Sequence, residues 1–183
     1  LVLNLLLPGN RRHATVAANS LGQAVAVWEA PDGDGTGIYR RAITGGLPIG
    51  VEEQVNLTVA GEQREPSVAL DDHNQFVAVW IHEPVPDDPG GSPIVVQGRK
   101  KTNAVSGDAH DPLGEVPAPD GEFQISTSGD NPAEPWVATE PRGNFVVAWQ
   151  AEGVDDPQDP LGRAALFQRF SDAIFADDFE TAD

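Results

Sequence analysis

Gln23-Ala-Val-Ala-Val-Trp28 returns as Phe76-Val-Ala-Val-Trp80 and again as Phe145-Val-Val-Ala-Trp149. Val16, Val68 and Val137 each stand twelve residues before the tryptophan, and Gly22, Asn74 and Gly143 stand six before it. Two spacings held in three places mark a repeat protein. Within each stretch the apolar residues run consecutively rather than alternately. The stretch therefore reads as a β-strand covered on both faces, since a strand with one wet face would alternate.

The same order of elements surrounds each tryptophan. A short strand holds the valine, as Ala14-Thr-Val-Ala-Ala18, Pro66-Ser-Val-Ala-Leu70 and Pro135-Trp-Val-Ala-Thr139. A tight turn follows, with Gly22, Asn74 or Gly143 in the slot where positive φ is needed. After the tryptophan strand comes a loop rich in Asp, Gly and Pro, then a third strand: Gly37-Ile-Tyr-Arg-Arg-Ala-Ile43, Ile94-Val-Val-Gln97 and Ala165-Leu-Phe-Gln-Arg-Phe170. Gly45-Gly-Leu-Pro-Ile-Gly50 reads as the next turn, and the fourth strand as Glu53-Gln-Val-Asn-Leu57 or Glu122-Phe-Gln-Ile-Ser126. Four short strands per copy match a propeller blade. The predicted fold is all-β and propeller-like, with three repeats of a four-stranded antiparallel blade and no helix. One repeat domain spans 1–170, with repeats at about 1–52, 53–121 and 122–170, each starting with its outer strand, and an acidic tail follows at 171–183.

Leu3-Asn4 precedes Val16 much as Val55-Asn56 precedes Val68, so residues 1–5 read as a fourth strand without its blade. The third copy stops after its third strand. That offset predicts that the first and last blades zip together, or that more blades complete the ring, from a longer chain or from a second copy as a homo-oligomer. Trp28 and Trp80 are 52 residues apart and Trp80 and Trp149 are 69 apart; the extra residues fall at turns, where repeat scaffolds vary their binding surface.

Acidic residues outnumber basic ones 29 to 11 among 183, a formal charge of −18. Such a chain repels nucleic acid and anionic membrane surfaces, and suits cationic partners, calcium or plain solubility. No apolar run is long enough to span a bilayer. Cysteine is absent, which excludes disulfides, thiolate zinc sites and a cysteine nucleophile. Methionine is absent even at position 1, so the chain reads as a processed or excised piece.

Pro66-Ser-Val-Ala69, Gly143-Asn-Phe-Val-Val-Ala-Trp149, Ile38-Tyr39, Gln168-Arg-Phe170, Pro48-Ile-Gly50 and Val55-Asn56 together resemble a repeat of large secreted bacterial proteins, P-x-V-A, G-x-F-V-V-x-W, I-Y-x-x-R-F, P-x-G and E-F-x-V-N. The resemblance covers about nine-tenths of the chain, and these repeats look like sialidase-type propeller blades without the sialidase Asp-box, S-x-D-x-G-x-T-W. Ile174-Phe-Ala-Asp-Asp-Phe-Glu180 is similar to an I-F-x-D-G-F-E ending of secreted proteins of some Gram-negative bacteria, with Asp178 in place of the glycine. The resemblance implies an exported bacterial protein, secreted or held at the cell surface.

Three sets of residues are candidates for function. Asp32, Asp34, Asp87, Asp88, Asp155, Asp156 and Asp159 lie in the loops after the tryptophan strands, where carboxylates could gather around calcium or simply keep a hairpin solvated. Trp136 takes the slot held by Thr15 and Ser67 in the other copies, on the opposite face from the valine, to stack on a sugar ring or fill a gap between blades. His73, His82, His110, Asp108 and Asp111 would make a transition-metal site only if the fold gathered them; scattered, they are exposed surface. No nucleophile elbow, phosphate loop or dinucleotide fingerprint occurs. The reading is an extracellular binding or scaffold module with no required cofactor, its ligand a glycan or another cell-surface molecule, with calcium as a candidate ion. The alternative is a glycan-active hydrolase of sialidase-like propeller type, with paired carboxylates at the blade axis.

Overall fold

The computed structural model describes residues 2–3, 9–85, 93–103, 121–126, 131–152 and 162–171. Every regular element among them is a strand: β1 (Arg12–Ala18), β2 (Gln23–Pro31), β3 (Gly35–Thr44), β4 (Leu47–Gln54), β5 (Gly61–Leu70), β6 (Gln75–Glu83), β7 (Val95–Thr102), β8 (Phe123–Gln124), β9 (Ala133–Thr139), β10 (Phe145–Glu152) and β11 (Arg163–Phe170). The protein is all-β, and its described strands form two sheets.

The larger sheet consists of two antiparallel meanders, β1-β2-β3-β4 and β5-β6-β7-β8. Among the described residues their strands pair where β3 and β5 run parallel for two residue pairs, Gly35 with Gly61 and Thr36 with Glu62. Glycine is required at this junction: Gly35 has φ 111°, and a Cβ there would lie 2.5 Å from the Gly61 carbonyl oxygen. The smaller sheet is the meander β9-β10-β11. The described strands thus form three units in two open sheets rather than a closed ring.

Alternating side chains explain how the units stack. On β6, Phe76, Ala78 and Trp80 point to one face and join Val25, Val27, Ile38 and Val55 of the first unit. Val77, Val79 and Ile81 point the other way and join Phe145, Val147, Trp149 and Ala151 of the third. Each repeat tryptophan of units two and three therefore faces the unit before it, and Trp28 faces forward as well, against Leu3, Tyr39 and Ile43. All three are buried. The consecutive apolar pattern of β6 has the expected cause, a unit on each face, whereas on β2 one side meets the second unit and the other is covered by Leu3 with Tyr39 and Ile43. β10 departs from it. Its burial alternates strictly, because no described unit covers its far side.

The hairpin slots adopt the expected backbone: φ is 78° at Gly22, 59° at Asn74 and 92° at Gly143. Asn19 Oδ1 accepts from the backbone N–H groups of Leu21 and Gln23, and Asp71 Oδ1 accepts from those of His73 and Gln75. The next turn is tighter than the sequence suggested. Gly45 and Gly46 both have positive φ, so two residues reverse the chain and β4 begins at Leu47, not at Glu53. Val55 extends the pairing by donating to the Ile38 carbonyl, and Asn56 Oδ1 accepts the Ile38 N–H at 2.7 Å. Ser126 repeats the device in the second unit, its hydroxyl oxygen accepting the Val96 N–H at 2.8 Å.

Asp71 is almost fully buried, and burial pushes its carboxyl above the usual carboxylate range despite the opposing Gln75 N–H, Lys100 and His73. A raised folded pKa makes the ionised group a cost at neutral pH, relieved as pH falls through that pKa toward the unfolded value. Asn19 performs the same turn chemistry without charge. Asp71→Asn is therefore expected to lose the stability that the wild type gains from this group between neutrality and about pH 4.5. Urea unfolding at the two pH values measures it, and a variant with the same pH slope as the wild type would contradict the assignment.

Candidate functional site: the open face of the third unit

The uncovered side of β9-β10-β11 is built by register. Ala148 lies opposite Trp136 on one neighbour and Phe167 on the other, so three side chains form one row across the sheet. Trp136 is 68% exposed and Phe167 74%. Two strand spacings separate them, about 9.5 Å, with only the alanine methyl between. The adjacent row holds Ala138, Val146 and Arg169, and Val146 is 38% exposed. Among the described residues nothing covers this face, and Trp136 fills no gap between units.

The corresponding rows elsewhere are buried interfaces. In the first unit the row is Thr15, Val27 and Arg40; in the second it is Ser67, Val79 and Gly98. Val27 and Val79 are fully buried against the following unit. Arg40 lies 5.1 Å from the centre of the Phe76 ring and donates to Asn103 and Glu53. Ser67 Oγ accepts the Val137 N–H of the next unit at 3.2 Å.

A second repeated feature runs along the first strands. Each is bulged, and the bulged residue holds positive φ although it is not glycine: 48° at His13, 56° at Glu65 and 49° at Glu134. Carboxylates bridge one bulge to the next. Glu29 Oε1 accepts the Glu65 N–H at 2.6 Å and also pairs with His13 Nδ1. Glu65 Oε2 accepts the Glu134 N–H at 2.9 Å, while its Oε1 binds Arg64. Glu134, exposed beside the aromatic row, accepts from Gln150 of its own unit.

The remaining sequence candidates are dispersed. Asp32 Oδ1 accepts the Asp34 N–H and its Oδ2 accepts from Gln54, so this carboxylate holds its own loop. Asp87, Asp88, Asp155, Asp156, Asp159, His110, Asp108 and Asp111 lie outside the described residues. His73 sits in the β5–β6 turn. His82 is half-buried, its Nδ1 3.2 Å from Gln63 Nε2; burial lowers its pKa against the opposing pull of Glu122. Among the described residues no three histidine, aspartate or glutamate side chains are grouped to hold a metal ion. At the front of the first unit a cavity of about 380 Å³ is bordered by Leu3, Arg11, His13 and Trp28.

Phe167 and Glu134 were not legible as site residues. Phe167 could have been found by aligning third strands on the tryptophan register, where it replaces Arg40 and Gly98. Glu134 had a weaker signal: Glu65 and Glu134 each stand three positions before the strand valine and directly before a proline.

No protein-family model matches the chain. No curated protein matches it either. Among solved structures it is similar to a protein of unknown function from Dyadobacter fermentans DSM 18053, with a TM-score of 0.52 and 14% identity over 92% of this chain. The chain spans 41% of that protein's length. At this identity the likeness concerns the fold.

The bulge ladder makes a specific demand on Glu65. Removing its carboxylate leaves the Glu134 N–H to water, so Glu65→Ala is expected to cost about 0.5–1.5 kcal/mol. Glu65→Gln, which keeps an acceptor oxygen, should cost less. Hydrogen exchange at the Glu134 amide, faster in the first variant only, reports the bond directly; equal exchange in both would contradict it.

Proposed function

We propose that this chain is a binding or scaffold module of β-propeller type, secreted or held at a bacterial cell surface, whose working surface is the open face of its third blade. The blade reading draws on the repeated four-stranded meanders of units one and two, the three strands of unit three, and the tryptophan that units two and three turn toward the preceding unit. Likeness to part of a longer protein is consistent with blades that belong to a larger assembly.

One observation carries the binding reading. The third unit exposes two aromatic side chains on the face that its neighbours bury, with Glu134, Gln150 and Arg169 beside them. Exposed aromatic area is a standing cost in water and an aggregation hazard, and it is retained where a surface recognises something. The nearby polar groups give direction to an otherwise apolar contact. Catalysis forms no part of this reading.

A working surface and a core differ in what truncation costs. In dilute solution Trp136→Ala and Phe167→Ala should each shift the unfolding free energy by no more than about 0.5 kcal/mol. Trp80→Ala, which empties the interface between the first two units, should cost about 3–5 kcal/mol. Urea unfolding separates the cases. A loss of about 2 kcal/mol or more at Trp136 would make that residue part of the framework and remove the proposed surface.

A further inference from the structure

We propose that the open face of the third unit seats the front of the first unit of a second copy, Glu134 and Trp136 of one chain meeting His13 and Val16 of the other. This rests on the reading of that face as the working surface and names its partner. The argument starts from the two interfaces already inside the chain. At the second, Glu65 accepts the Glu134 N–H and Ser67 accepts the Val137 N–H. Stepping one repeat forward from Glu65 gives Glu134, and from Ser67 gives Trp136. Stepping one repeat back from Glu134 and Val137, through Glu65 and Val68, gives His13 and Val16. The back of the third unit and the front of the first thus carry the two halves of the same interface.

The exposed residues agree. Val68 is buried and Val137 packs against the core of its interface, whereas Val16, their counterpart, is 65% exposed. Shape agrees too. Strand positions facing forward are Pro66, Val68 and Leu70 in the second unit and Pro135, Val137 and Thr139 in the third, but Ala14, Val16 and Ala18 in the first. The front is slimmest where the opposing back, with Trp136 and Phe167, is bulkiest. At the front bulge Glu29 pairs with His13 and Glu52 lies 3.8 Å from Arg11, which leaves Arg12, exposed beside them, as the cation facing Glu134 of the back bulge. The overall charge of −18 opposes association, but at physiological ionic strength it is screened beyond about 8 Å. A front-to-back contact is heterologous, and the three described units of two copies can close it into a ring of six, within the usual range of four to eight blades.

Light scattering at about 0.15 M salt and a series of protein concentrations tests this. The wild type is expected at twice the 19.4 kDa of one chain. Val16→Glu and Trp136→Glu, both at exposed positions, should each give monomers with unchanged circular dichroism. Mixing the two variants should restore a weaker dimer, since the mixture holds one intact front and one intact back. A wild type that stays monomeric at every concentration overturns the proposal, as does Val16→Glu remaining dimeric, which would signify back-to-back pairing. A monomer retained on immobilised glycans through Trp136 would assign the face to sugar and also overturn it. Any of these, with Trp136→Ala still neutral for stability, leaves the working-surface reading standing and removes only the second copy.

Discussion

The constraint on which the structure depends is that a strand apolar on both sides must be covered on both sides. β6 meets it with a unit before and a unit behind, and its two interleaved triplets of side chains become the centres of two separate cores. The tryptophan is the largest member on the forward side, so it sets the spacing from the preceding unit. Burying these rings has a polar cost: the indole N–H groups of Trp28, Trp80 and Trp149 find no hydrogen-bond partner among the described residues. The apolar area removed from water outweighs it.

Apolar stacking alone would let the sheets slide, since it has little directional preference. Polar contacts between units fix the register. Asn19 Nδ2 donates to the Asp71 carbonyl, Arg40 and Asn103 connect β3 with the end of β7, and the Asn103 side chain donates to the Ala24 carbonyl. Lys100, buried, reaches the Gly143 carbonyl of the third unit at 3.5 Å. Together with the glutamate ladder across the bulges, these contacts link equivalent points of successive units. At Glu65 and Glu134 the left-handed backbone of the bulge turns the N–H toward a carboxylate of the preceding unit.

Much of this was legible in the sequence because repetition amplifies weak signals. A single Gln-Ala-Val-Ala-Val-Trp could be a buried helix segment or a strand; three copies with a glycine or asparagine six residues upstream can only be hairpins. The opposite face of Trp136 followed from strand alternation. Other features escaped for physical reasons. The start of β4 depended on Gly45 and Gly46 turning in two residues, while Pro48 made the segment look like a longer loop. Phe167 looked like one more apolar residue in an apolar strand, because sequence periodicity cannot say which of two faces lacks a neighbour. The bulge ladder joins Glu29 to Glu65 and Glu65 to Glu134 across units, and no local pattern encodes such contacts.

The central claim is that Trp80 and Trp149 are dry because their units stack with the tryptophan toward the unit in front, and Trp28 because Leu3, Tyr39 and Ile43 cover it, leaving Trp136 alone in water. The chain has four tryptophans, so a Trp136→Phe variant reports only on the other three. The account expects its emission to be blue-shifted, nearly immune to acrylamide, and to become quenchable in a single step as the protein unfolds. A fraction that is red-shifted and readily quenched under native conditions would contradict it, because a repeat tryptophan would then face solvent and the units would not be stacked.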